Sequence, residues 1–193
     1  MTIARSWRAP IVIALVVVLL DQTTKHWAVN ALADGHIIDV IWTLQFNLAY
    51  NSGMAFSRGR GLGPVIAVVA TIVIVWLLAS LRSGGTKLSR FGMGCLIGGA
   101  VGNLLDRLFR GDAWLQGSVV DFIDFQWFPI FNVADIAVNV GAAALILNSI
   151  LVSRADARAA VLVHADTPGS PGSPGSLADT SGEPSDPGQA SSS

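Results

Sequence analysis

Two aspartates are candidates for catalysis because neither has a basic neighbour in the sequence to neutralise it. Asp121 lies within the apolar run 119–123, and Asp135 lies at the start of a second apolar segment. Two carboxyl groups in one low-dielectric pocket cannot both ionise, so they share a proton. An aspartic peptidase needs this state, because the ionised acid takes a proton from water while the protonated acid polarises the scissile carbonyl. The sequence by itself leaves open whether the two acids meet.

The remaining charges in apolar surroundings are interpreted as structural. An ionisable side chain inside a membrane is costly and needs a partner. Asp21 and Lys25 are one helical turn apart in the first apolar segment, and this spacing favours an ion pair. Asp106 and Arg107 are interpreted as charges that fix the end of a helix, and Asp124 as an ordinary loop acid.

The whole chain has the composition of a membrane protein. It is 52% apolar and only 13% charged, whereas a soluble domain carries about a quarter charged residues. Four apolar segments approach the roughly 20 residues that a helix needs to cross a bilayer, and lipid forces each backbone group to bond within its own segment. We therefore predict an all-α membrane protein with four transmembrane helices, at residues 10–33, 62–81, 91–109 and 130–152.

Basic residues predict the orientation of these spans. Three basic flanks fall on one side of a four-span protein, and the positive-inside rule makes that side cytoplasmic. The flanking residues are Arg5, Arg8, Arg82, Lys87, Arg90, Arg154 and Arg158. Both termini are then cytoplasmic: residues 1–9, and a Pro/Gly/Ser-rich tail at 156–193 that is predicted to be disordered. The connections 34–61 and 110–129 face outward, and the candidate acids gather at that end.

The first outward connection alternates polar and apolar residues between Ile37 and Phe46. This alternation predicts short strands on the membrane surface, with Trp42 and Phe46 at headgroup level. A different interpretation makes the first span a signal peptide cleaved after Ala31-Leu32-Ala33. The charged stretch 21–30 is too long for a normal processing region, which argues against cleavage.

Other chemistries lack the residues they need. No serine lies in a Gly-x-Ser-x-Gly turn, and Cys95, the single cysteine, has no nearby histidine to activate it. The three histidines are scattered, so no metal site is predicted, and a net charge of −1 gives no reason to invoke nucleic acid. The glycine ladder of Gly94, Gly98 and Gly102 predicts close helix packing rather than nucleotide binding.

Four motifs in order, across roughly residues 10–155, together resemble one family, lipoprotein signal peptidase (signal peptidase II). They are Asp21-Gln22-Thr23-Thr24-Lys25, then Asn51-Ser52-Gly53-Met54-Ala55-Phe56-Ser57, then Gly102-Asn103-Leu104-Leu105-Asp106-Arg107 through Val119-Val120-Asp121-Phe122, and Phe131-Asn132-Val133-Ala134-Asp135. The chain lacks the Gly-x-Gly-Asp element of presenilin-like and prepilin peptidases. It departs from the family's commoner pattern in a short loop between the catalytic positions and in its Pro/Gly/Ser tail.

The resemblance implies an aspartic endopeptidase of the bacterial cell membrane with a small extracytoplasmic β-like cradle over its substrate. Such enzymes cut prolipoproteins before a cysteine that carries a diacylglyceryl group, releasing the signal peptide. The family's catalytic pair maps onto Asp121 and Asp135, near the outer face. No cofactor or metal is implied. The expected partners are lipid-modified prolipoproteins, membrane lipid and globomycin-type cyclic peptides, and the protein is expected to be a monomer.

The same resemblance identifies supporting residues around the catalytic pair. Asn51 and Asn132 are expected to hydrogen-bond substrate backbone, and Arg107 to order the carboxylate-rich end of the site. The remaining positions that match the family's site are Gly53, Asn103 and Ala134, with Asp21 and Lys25 as supports.

Two other function classes stay open from the residues alone, a proton-coupled transporter and a structural membrane subunit. A transporter predicts acids spread through the depth of the bilayer, whereas the second span has no ionisable group. A structural subunit would tolerate Asn or Ala at the candidate acids. Binding of a globomycin-type peptide is expected only of the peptidase.

Overall fold

The computed structural model describes residues 3–53, 63–111 and 115–166. Its main elements are four long helices, each of them apolar enough over 18 residues or more to cross a membrane. They are α1 (Ile3–Ala31), α2 (Gly63–Ser80), α3 (Lys87–Phe109) and α4 (Val133–Asp166). The predicted class, a membrane protein of four transmembrane helices, is confirmed.

Two helices begin earlier than the apolar segments predict. α1 begins at Ile3, although its apolar stretch begins near residue 10. α3 begins at Lys87 because Thr86 precedes it as a cap, its hydroxyl accepting a hydrogen bond from the Ser89 N–H at 3.1 Å. A cap of this kind satisfies one of the free N–H groups of the first turn.

α4 ends much later than predicted. Residues 156–166, which we expected to begin the disordered tail, are helical. They are rich in alanine and contain no proline or glycine, and alanine has the highest intrinsic helix propensity. The rest of the predicted tail, residues 167–193, lies outside the described residues.

A three-stranded antiparallel sheet lies at one end of the helices, in the order β1-β2-β3. Its strands are β1 (Ile38–Ile41), β2 (Leu44–Asn51) and β3 (Val119–Asp124). The strands predicted between α1 and α2 are therefore confirmed. β3 was not predicted, because its residues are almost all buried and show no polar alternation.

Aromatic packing fixes the sheet against α1. Trp27 of α1 meets Phe46 of β2 edge-to-face with ring centroids 5.2 Å apart, and it meets Phe122 of β3 at 6.1 Å. Phe46 is a partly buried member of this cluster, and its position at headgroup level stays a prediction. Trp42, the other residue of that prediction, is 100% exposed at the turn between β1 and β2.

The glycines of α3 let neighbouring helices approach it closely. A Cβ atom on Gly98 would lie 2.8 Å from the carbonyl oxygen of Ala14 on α1. On the opposite side, a Cβ atom on Gly92 would lie 2.9 Å from the carbonyl oxygen of Gly141 on α4. The predicted packing face is confirmed, and α3 occupies the middle of the bundle between α1 and α4.

Candidate active site

Asp121 is positioned by the register of the sheet. It pairs with Ala49 of β2, and its side chain is only 3% exposed. The next residue, Phe122, points to the other face of the strand, where it joins the aromatic cluster that holds the sheet on α1. Packing of Phe122 on α1 therefore leaves the carboxyl group of Asp121 on the other face of the strand, where it lines a cavity with residues of α2, α3 and α4.

Asp135 is positioned by the N-terminus of α4. Asn132 precedes the helix, and its side-chain oxygen accepts a hydrogen bond from the Asp135 N–H at 3.0 Å. In return, Asp135 Oδ2 accepts from the Asn132 N–H at 3.2 Å. This reciprocal arrangement is a capping box. It fixes the side chain of Asp135 against the first turn of the helix.

Asn132 also bonds to Asp121. Its Nδ2 donates to Asp121 Oδ1 at 2.6 Å, so one side chain contacts both acids. Asp121 and Asp135 line the same cavity of about 270 Å³, together with Asn51, Asn103 and Arg107. Both acids also line a second, largely apolar groove of about 520 Å³ along the start of α4. The two acids thus border both spaces.

Two further asparagines complete the polar surroundings of the acids. Asn51 Nδ2 donates to Asp121 Oδ2 at 3.2 Å, and Asn51 Oδ1 accepts from the Gly53 N–H at 3.2 Å. Asn103 Nδ2 donates to Asp135 Oδ1 at 2.8 Å. Every asparagine predicted for the site therefore contacts a catalytic candidate directly. Residues 54–57, the end of the second motif, lie outside the described residues.

Burial raises the pKa of Asp121 to about 6, and the neighbouring carboxyl group of Asp135 contributes in the same direction. The hydrogen bonds from Asn132 and Asn51 oppose this shift because they favour the ionised form. Asp124, on the same strand, behaves in the opposite way. Burial disfavours its charge, but hydrogen bonds from the Gln45 side chain, the Gln126 N–H and the Asn47 side chain hold its pKa below the usual value.

The interpretation of Asp124 as an ordinary loop acid is wrong. Its side chain lies in the sheet at 6% exposure, and its carboxylate bonds across to β2. The donor at 2.6 Å is the N–H of Gln126, whose φ of 66° puts the chain into a turn directly after β3. Asp124 therefore stabilises the C-terminal end of β3, the strand that carries Asp121.

The predicted ion pair of Asp21 and Lys25 is present, with Lys25 Nζ 2.9 Å from Asp21 Oδ2. Lys25 also lies 2.9 Å from Asp106 Oδ2, and all three side chains are fully buried. Asp106 was expected to act with Arg107 at the helix end, but its second partner is Arg110, one turn further along at 2.7 Å. Lys25 and Asp106 are about 80 residues apart in the sequence, so helical spacing could not predict their contact.

Arg107 is 6% exposed and lines the cavity beside the two acids. Its Nη1 has no hydrogen-bond partner among the described residues. The charges of Asp121, Asp106 and Asp135 all act on its guanidinium group. A buried donor without a partner is costly, so Arg107 offers an open donor for a group that enters the cavity.

Gln22 and Arg110 belong to the buried polar network and were not singled out in the sequence. Gln22 Nε2 donates to Asp21 Oδ2, to the Gly102 carbonyl and to Asp106 Oδ1, at 3.1 to 3.3 Å. The position of Gln22 inside the first motif was the sequence signal that could have identified it. Within the described ranges, no three His, Cys, Asp or Glu side chains are grouped so that they could hold a metal ion.

The family model for signal peptidase II, "Signal peptidase (SPase) II", matches residues 13–151. A lipoprotein signal peptidase of Mycobacterium leprae is 42% identical over 147 residues, which are 76% of this chain and 73% of that protein. The lipoprotein signal peptidase of Rhodococcus jostii is 36% identical over 72% of this chain and 71% of its own length. A solved structure described as a bacterial membrane enzyme superposes with a TM-score of 0.67 at 28% identity, covering 76% of this chain and 90% of that one.

Proposed function

The chain belongs to the signal peptidase II family, and we propose that it is an aspartic endopeptidase whose catalytic acids are Asp121 and Asp135. It is a multi-pass membrane protein of the bacterial lipoprotein-processing type. The proposed reaction is hydrolysis of a diacylglyceryl-modified prolipoprotein, immediately before the lipidated cysteine. The observation that carries the proposal is that both acids line one cavity and bond to one asparagine, Asn132.

The charges around the dyad support a single shared proton. Buried or half-buried groups connected to the site comprise three cations and four carboxyl groups, namely Lys25, Arg107, Arg110, Asp21, Asp106, Asp121 and Asp135. Lys25 and Arg110 balance Asp21 and Asp106. Arg107 then balances one negative charge, so the set is neutral when the dyad holds one proton. A neutral set is the least costly arrangement in a low-dielectric site.

Burial of Asp121 and the helix terminus at Asp135 favour Asp121 as the protonated acid and Asp135 as the ionised one. The pKa of Asp121 is raised to about 6 by burial and by the charge of Asp135. Asp135 lies in the first turn of α4, where the helix dipole stabilises a negative charge. Each acid accepts two hydrogen bonds, Asp135 from Asn103 and the Asn132 N–H and Asp121 from Asn132 and Asn51, so the helix terminus distinguishes the two acids and the number of donors does not.

In the proposed mechanism, Asp135 takes a proton from a water molecule whose oxygen attacks the scissile carbonyl carbon. Asp121 gives its proton to the carbonyl oxygen, which produces a neutral tetrahedral diol. Asp135 then protonates the leaving nitrogen while Asp121 recovers a proton from a diol hydroxyl, and the C–N bond breaks. The products are a free carboxyl end and a free amine, and the dyad returns to its starting state.

The two spaces beside the dyad suggest how the substrate lies. A peptide must be extended for its backbone to reach both acids, and both the cavity and the groove adjoin the carboxyl pair. The groove is the larger and is lined mainly by apolar residues of α4 and of 128–131, so we assign it to apolar parts of the substrate. The dyad lies at the sheet end of the helices, which we take as the outer face, with both termini cytoplasmic.

Arg107 and the asparagines have separate roles in this proposal. Arg107 Nη1 has no hydrogen-bond partner in the described part of the chain, and we assign it to the substrate. Asn132 is fully buried and already donates to Asp121 and Asn103, so we assign it to positioning the acids instead of to substrate backbone. Asn51 lines both spaces and keeps its proposed role beside the substrate. Globomycin-type cyclic peptides are proposed to compete for the same place.

The test is cleavage of a diacylglyceryl-modified prolipoprotein by the purified protein in detergent. Asp121→Asn and Asp135→Asn are each expected to lower kcat by roughly 10³-fold or more, because general acid and base catalysis are both lost. Asp124→Asn is the matched control on the same strand, and it should keep near-parental kcat. Folding is checked by melting temperature. Near-parental activity of either dyad variant, or no cleavage by the parent protein, would refute the proposal.

A further inference from the structure

Each catalytic candidate follows a residue whose backbone N–H is held by a buried carboxylate. The N–H of Ala134, which directly precedes Asp135, donates to Asp21 Oδ1 at 2.9 Å. The N–H of Val120, which directly precedes Asp121, donates to Asp106 Oδ2 at 3.2 Å. Two carboxylates, one on α1 and one on α3, therefore hold the backbone beside the two acids of the dyad.

Lys25 joins these two carboxylates. Its Nζ lies 2.9 Å from Asp21 Oδ2 and 2.9 Å from Asp106 Oδ2, and none of the three side chains is exposed. Its third contact is Asn103 Oδ1 at 2.8 Å. An ammonium group can only donate, so Lys25 fixes the oxygen of Asn103 towards itself. The amide nitrogen of Asn103 must then face Asp135, to which it donates.

We propose that Asp21, Lys25 and Asp106 form a clamp that sets the separation and orientation of the two catalytic carboxyl groups. None of the three touches the reacting atoms, so they are positioning residues. Asp106 is linked to Asp121 through the backbone of β3. Asp21 is linked to Asp135 through the backbone at the start of α4, and Lys25 is linked to Asp135 through the side chain of Asn103. This inference rests on the proposed function, because it concerns the geometry of the same dyad.

The geometry gives the clamp a measurable signature. Two acids that share a site titrate as a coupled pair, and the interval between the two steps grows as the acids approach each other. A loosened clamp would let the acids separate, so the interval between the acidic and alkaline limbs of the activity profile would shrink. A residue that only stabilises the fold would lower the melting temperature without changing that interval.

Among the residues that the structure describes, few ionisable groups face the dyad, so the profile can be interpreted. α1 contributes Asp21 and Lys25, and α2 has no ionisable side chain. α3 contributes Asp106, Arg107 and Arg110. β3 and α4 contribute the dyad itself. A variant that changes the charge of this set shifts both limbs in the same direction, whereas a change in separation moves them towards each other.

The experiment uses a charge-balanced variant, Asp21→Asn with Lys25→Gln, which leaves Asp106 paired with Arg110. The asparagine that replaces Asp21 can still accept from the Ala134 N–H, so only the bridge and the orientation of Asn103 are lost. We expect kcat to fall about 10²-fold, as for a small misplacement of catalytic groups, with KM changed by no more than about threefold. The two limbs of kcat against pH should move closer together.

Thr86→Val serves as the structural control, because Thr86 bonds Asn148 and caps α3 away from the site. It should lower the melting temperature and leave both limbs unchanged. If the charge-balanced variant does not fold, Lys25→Arg replaces it, since a guanidinium keeps the charge but not the compact three-way contact. A folded clamp variant with parental kcat and an unchanged interval would overturn the inference. Failure of the proposed function would be recognised separately, as near-parental cleavage activity of Asp121→Asn or Asp135→Asn.

Discussion

Asn132 and Asp135 bond each other twice across the first turn of α4, at 3.0 and 3.2 Å, while the amide nitrogen of Asn132 reaches Asp121. The residue that begins the helix is thus the residue that connects the two catalytic candidates. Helix capping and the assembly of the dyad depend on different atoms of one side chain. Substitutions can therefore separate the two roles.

Asn132→Ser is expected to keep the cap and lose the contact with Asp121. Serine is about as good an N-cap as asparagine, so the melting temperature should fall less than in Asn132→Ala, while kcat falls because its hydroxyl is too short to reach Asp121. Asn132→Ala loses both contacts and should also lose about 1 kcal/mol of stability. Thermal unfolding and prolipoprotein cleavage are measured for both variants. Equal activity of Asn132→Ser and the parent protein would contradict the connecting role.

The pH dependence of cleavage should reflect the pKa of Asp121, about 6. If Asp121 must hold the proton, kcat/KM falls by about tenfold for each pH unit above that value. Removing the donor of Asn51 by Asn51→Leu takes away a hydrogen bond that favours the ionised form. The alkaline limb should therefore move to higher pH. An alkaline limb that moves to lower pH, or an activity that rises steadily above about pH 7, would contradict the assignment of the proton to Asp121.

The motifs and the apolar segments predicted which residues form the candidate site, and the structure places most of them around one cavity. Asp121 and Asp135 could be identified because an acid in apolar sequence needs a reason to be there. β3 could not, because burial on both faces removes the alternation that marks a strand. The ion-pair partners of Asp106 could not be predicted either, because Lys25 lies on a different helix and Arg110 lies outside the motif, one turn after Asp106.

Two aspartates of β3 should show opposite linkage between pH and stability. The pKa of Asp121 is raised in the folded protein, so folding favours its protonated form and stability falls as pH rises from about 4 towards 6. The pKa of Asp124 is lowered, so its contribution is present above about pH 4 and is lost at lower pH. Asp121→Asn should flatten the fall in melting temperature between about pH 4 and 6, as measured in detergent. Asp124→Asn should leave that fall intact, and the reverse pattern would contradict the assignment.

Close packing of α3 against its neighbouring helices should matter for activity only where it adjoins the dyad. A Cβ atom on Gly99 would collide with the carbonyl oxygen of Ala134, the residue before Asp135. Gly99→Ala must therefore push the start of α4 away, and we expect it to lose about 1–3 kcal/mol of stability together with most of its activity. The matched control is Gly94→Ala, whose Cβ would meet Ile13 and Pro10 on α1.

Gly94→Ala should lower the melting temperature by a similar amount because its clash is also severe, with contacts of 2.8 to 2.9 Å. The clash displaces α1 near its beginning, and neither Asp21 nor the start of α4 is involved. The kcat of the folded Gly94→Ala protein should accordingly stay near the parental value, measured below its melting temperature. If both variants lose kcat equally at equal stability, the effect belongs to the bundle as a whole and not to the position of Asp135.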